Sequence, residues 1–71
     1  MTEEKIEGIG EAIRDFLNLE EIKFVKVVLG NLYFTGTSTN NQSFQLRYNY
    51  GKVFYKHGDA WRQVVGLKIG I

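Results

Sequence analysis

The sequence predicts an α+β domain in which an N-terminal amphipathic helix packs on one face of a five-stranded antiparallel meander. Three observations predict it. Apolar residues recur every three or four positions up to Leu17, then every second position from about Glu21 onward; these are the periods of a helix and of strands. Turn-forming residues follow about every ten positions, at Gly30-Asn31, Thr39-Asn40-Asn41, Tyr50-Gly51 and His57-Gly58-Asp59, a spacing that suits hairpins and leaves no room for crossover helices. Charge is sorted along the chain as well. Residues 1–21 carry seven acidic side chains against Lys5 and Arg14, whereas residues 22–71 carry seven basic ones against Asp59 alone.

The 71 residues make one domain, with an acidic helical part (1–20) and a basic sheet part (21–71). No cysteine is present, so no disulfide supports the fold and the apolar core must. Over residues 3–17, Ile6, Ile9, Ile13, Phe16 and Leu17 form one apolar stripe. Thr2 is the expected N-cap, early glutamates suit the positive helix end, and Asn18 is the expected terminator. Gly8 and Gly10 weaken this helix by about 1 kcal/mol each relative to alanine. In return they allow another part of the chain to come close.

Strands are expected over about 21–29, 32–38, 42–49, 52–56 and 60–69. Loop lengths set their register, because a slip of one residue would turn a whole strand over. A Gly30-Asn31 loop sets Val27 opposite Phe34, and a Thr39–Asn41 loop sets Phe34 opposite Leu46. A Tyr50-Gly51 loop sets Leu46 opposite Tyr55, and a His57–Asp59 loop sets Tyr55 opposite Trp61. The resulting row is apolar or aromatic throughout, with Val25, Leu29, Leu32, Phe44, Tyr48, Val53, Val65 and Leu67 around it. That face is expected to be the core, covered by the helix. Five strands on one helix also imply strong curling.

By the same parity the uncovered face carries the row Val28, Tyr33, Arg47, Phe54 and Arg62, flanked by Lys26, Lys52, Lys56, Val64 and Lys68. Ile22 and Phe24 lie toward one edge of it. Two readings follow. Ile22, Phe24, Val28 and Tyr33 would form an apolar patch of the kind that marks a protein interface, with a second copy (a dimer) or another protein as partner. Alternatively, Tyr33 and Phe54 would stack bases of a single-stranded nucleic acid while Arg47, Lys52, Lys56 and Arg62 meet phosphate. A purely internal ladder of aromatic–arginine pairs is the plain counterpart of both.

Catalysis is not expected. His57 is the lone histidine, and His57-Gly58-Asp59 suits a hairpin turn better than a base with its orienting carboxylate. Helix glutamates spaced four apart face solvent instead of converging on a metal. No phosphate loop or dinucleotide fingerprint occurs, so neither cofactor nor metal is expected. No stretch approaches the ~18 apolar residues of a membrane span. The N-terminus opens with Glu3 and Glu4 and has neither the basic head nor the apolar run of a signal peptide, so the chain is expected in the cytoplasm.

Overall fold

The computed structural model describes residues 2–69. Its elements run in the order α1 (Glu3–Leu17), β1 (Leu19–Val28), β2 (Asn31–Ser38), β3 (Ser43–Asn49), β4 (Lys52–His57) and β5 (Ala60–Gln63). The five strands form one sheet in sequence order, each antiparallel to the next. This is the expected α+β meander with its N-terminal helix.

Local chemistry accounts for both ends of α1. Thr2 sits in extended conformation, and its Oγ1 accepts the Lys5 N–H at 3.3 Å. Asn18 takes the left-handed conformation (φ 56, ψ 45) and donates its N–H to the Arg14 and Asp15 carbonyls, which ends the helix. Ile9, Gly10 and Ile13 are buried. A Cβ at position 10 would stand 3.3 Å from the Phe34 ring, so glycine there lets α1 lie on the sheet. Gly8, with nothing within 4 Å, has no such role.

The two central registers follow the loop lengths: Phe34 pairs with Leu46 and Leu46 with Tyr55. Between β3 and β4, Tyr50 and Gly51 both take positive φ (46 and 83), the geometry of a two-residue hairpin turn.

Both outer strands depart from expectation. The first turn is Leu29-Gly30 (φ 50 and 80), not Gly30-Asn31, so Val27 pairs with Leu32. A bulge at Val25 then brings Phe24 opposite Phe34. Extra residues of this kind re-aim every side chain beyond them. At the other edge the loop is Gly58-Asp59, with His57 opposite Ala60, so Tyr55 faces Arg62 instead of Trp61. That one-residue slip turns β5 over, placing Trp61 on the face away from α1 and Arg62 on the α1 side.

Beyond Gln63 the expected strand does not continue to residue 69. The Val64 N–H still donates to the Val53 carbonyl at 2.8 Å, but Gly66 then turns the chain at φ 90. Ile69 N–H returns to the Gly51 carbonyl at 3.3 Å. Ile9, Ile13, Leu32, Phe34, Leu46, Tyr48, Val53, Val64 and Leu67 make the core. Helix and C-terminal segment therefore share one sheet face. Val64, expected on the outer face, is buried in it, whereas Val25, Val27, Leu29 and Val65 are exposed. Among the described residues, no helix is long and apolar enough to cross a membrane.

Candidate functional site

Strand β1 is the long free edge of the sheet: ten residues, against four in β5 at the opposite edge. Five exposed large apolar side chains follow one another along it and its turn: Phe24, Val25, Val27, Val28 and Leu29. Leu29 is 94% exposed and Val27 58%. Lys23 and Lys26, with bulges at Glu20 and Val25, are the features that blunt this edge.

The proposed interface set is divided by the Val25 bulge. Ile22 pairs with Gly36 and Phe24 with Phe34, so both lie on the α1 side and not on the uncovered face. There they border a shallow cleft with Gly10 and Arg14 of α1, and the Phe24 ring meets Phe34 edge-on at 5.6 Å. Val28 and Tyr33 keep their place on the uncovered face. The apolar group that remains contiguous follows the edge of β1, not the middle of the sheet.

The uncovered face centres on Arg47. Its guanidinium carbon lies 4.8 Å from the centre of the Phe54 ring and 4.9 Å from that of Trp61. Tyr33 meets Trp61 edge-on with centroids 6.1 Å apart, and Lys26 Nζ sits 5.6 Å above Tyr33. A flat sheet would hold β2 and β5 about 14 Å apart. Twist therefore coils the sheet along this diagonal and brings the two side chains together. Beside them lies a groove of about 410 Å³ lined by Val25, Lys26, Val28, Tyr33, Gln45 and Trp61, among others.

Of the six residues expected to meet nucleic acid, Tyr33, Arg47, Lys52, Phe54 and Lys56 share this face, as the pairings Arg47 with Phe54 and Asn49 with Lys52 require. Arg62 does not, for it stands opposite Tyr55 on the α1 side. Trp61 takes its place. A glycine opening a two-residue loop is a common hairpin signal, so Gly58-Asp59 was the clue to Trp61's position.

Electrostatically the face is almost unopposed. Among the described residues the ion pairs are Arg14–Asp15 at 3.5 Å and Lys23–Glu21 at 3.6 Å, both exposed. Neither involves Arg47, Lys26, Lys52 or Lys56. Arg47 Nε is sealed from solvent with no hydrogen-bond partner. Asn49 donates to Asn31 Oδ1 at 2.7 Å at the far end of the same face.

On the α1 side, a second cavity of about 410 Å³ opens between the helix end and the C-terminal segment, with Leu17, Leu19, Phe44, Tyr55 and Val65 in its wall. His57 and Asp59 flank the exposed turn residue Gly58 at φ 63. Among the described residues, no three His, Cys, Asp or Glu side chains converge on a point. Compared with protein-family profiles, curated proteins and solved structures, the chain matches none.

Proposed function

We propose that this chain is a small non-catalytic interaction module that self-associates through the edge of β1, most simply as a dimer. The observation that carries the reading is the run of exposed Phe24, Val25, Val27, Val28 and Leu29 along the long unpaired edge. An edge strand offers backbone donors and acceptors to another strand, and apolar side chains on both of its faces add burial when it pairs. The bulges leave two straight stretches, 21–24 and 26–28, for that pairing. The opposite edge is too short to compete.

Leu29 adds support. A leucine held at φ 50 costs about 1–2 kcal/mol locally, and at 94% exposure it recovers nothing from its own domain. Buried in a partner it would. A fold of this size also gains stability when a second copy covers apolar surface.

The test is absolute mass by light scattering at low and high salt, for the parent and for Val27→Lys. A dimer that survives salt in the parent and becomes a monomer in the variant supports the reading. A parent that stays monomeric at about 100 μM, or a variant that stays dimeric, overturns it.

A further inference from the structure

We infer that the face opposite α1 is a groove for single-stranded nucleic acid, with Arg47 as its preset phosphate contact and Trp61 and Tyr33 as its stacking surfaces. This goes beyond the self-association reading: the groove shares Val25 and Val28 with the proposed interface edge, but its charged and aromatic groups, Arg47, Tyr33 and Trp61, lie outside that edge. The argument begins with Arg47. A guanidinium carries five N–H donors, and here it lies against both Phe54 and Trp61 while, among the described residues, no carboxylate pairs with it. Its Nε is sealed and unpartnered, yet the residue as a whole is only half-buried. A planar cation fixed in this way loses little freedom when an anion arrives, and phosphate oxygens match its fork.

The surroundings select the class of anion. Lys23, Lys26, Lys52 and Lys56 share the face; Glu21 is paired with Lys23, and Glu20 stands beside Glu21 and Thr37 at one end. Five acidic residues of α1 lie on the other side of the sheet. A polyanion therefore meets attraction on one face and repulsion on the other. Charge alone would suit an acidic peptide equally well. The aromatic content does not. Tyr33 and Trp61 border the groove together with the apolar Val25 and Val28, and such surfaces stack nucleobases without requiring a particular sequence. At about 410 Å³ the groove takes a splayed-out base, whereas a duplex keeps its bases inside its own stack.

Trp61 is the chain's sole tryptophan, so its fluorescence reads the groove directly. The experiment titrates the full chain, and in parallel Val27→Lys, with oligodeoxythymidylate of about 12 nucleotides, with a duplex of equal length, and with poly-glutamate. Val27 lies on the α1 side, opposite Leu32, so that variant keeps the groove intact whatever its oligomeric state. The expected result is quenching of Trp61 by the single strand in both proteins, with at least tenfold weaker response to the duplex and to poly-glutamate. Affinity should fall about 50-fold between 50 and 200 mM salt if four phosphates are met. Lys52→Glu and Lys56→Glu, at exposed positions that do not threaten folding, should each weaken binding about tenfold or more. Three results overturn the inference: no quenching by the single strand, an equal response to poly-glutamate, or lysine variants that bind like the parent.

Discussion

The Arg47 guanidinium lies 4.9 Å from the centre of the Trp61 ring, although β4 separates their two strands. The contact joins non-neighbouring strands on the face away from α1, so it ties the coil of the sheet to the position of β5. A contact this close couples the two residues energetically. A double-mutant cycle with Arg47→Gln and Trp61→Leu should return a coupling of about 1 kcal/mol in thermal or urea unfolding. Additive losses would mean that β5 is not held by this stack.

Leu29 and Gly30 form the β1–β2 turn with positive φ at both positions. Asparagine tolerates that conformation far better than leucine, and Asn-Gly is the preferred pair for it. Leu29→Asn should therefore raise the stability of the monomeric domain by about 1 kcal/mol. The same change removes an apolar contact from the proposed interface, so it should weaken self-association. Unfolding measured at several protein concentrations separates the two effects.

Tyr48 is 2% exposed, and its hydroxyl has no hydrogen-bond partner. Leaving such a group unsatisfied costs about 1–3 kcal/mol. Tyr48→Phe keeps the ring and removes the hydroxyl, so it should leave the melting temperature unchanged or raise it. A clear fall would show that the hydroxyl finds a partner in solution.

Gly36 has ordinary strand geometry and is glycine for reasons of space. A Cβ there would come within 2.6 Å of Leu19 Cδ1 and 3.1 Å of Leu46 Cδ1. Leu19 borders the cavity on the α1 side and has room to swing aside, whereas Leu46 is 1% exposed and does not. Gly36→Ala should cost about 1–3 kcal/mol, the usual penalty for overpacking. Removing the obstruction with Leu19→Ala should recover part of it, and chemical denaturation of the single and double variants tests this.

Much of the architecture follows from local chemistry. Thr2 and Asn18 bound the helix because their side-chain and backbone preferences satisfy its ends, whatever lies elsewhere. Alternation along β2, β3 and β4, with unambiguous turns at Thr39–Asn41 and Tyr50-Gly51, sets which side of each strand is buried. Five of the six basic and aromatic residues assigned to one face are found there for that reason. These are consequences of period and turn chemistry, and both are written in short stretches of sequence.

The outer strands were decided by tertiary structure. A two- and a three-residue reading of His57-Gly58-Asp59 are locally similar, but only one brings Trp61 onto Arg47 and Tyr33. At β1, the Val25 bulge puts Ile22 and Phe24 beside α1 and leaves Val28 on the other face, a choice that rewards the Phe24–Phe34 contact. Val64 and Leu67 turn into the core because α1 packs chiefly on β1 and β2, which leaves the β4 side to a second cover. The helix, the central hairpins and the sorting of charge are legible in the chain because each depends on neighbours along it. The edges of the sheet, where the proposed interface and groove both lie, were set by contacts between residues far apart in sequence, whose energies no local pattern contains.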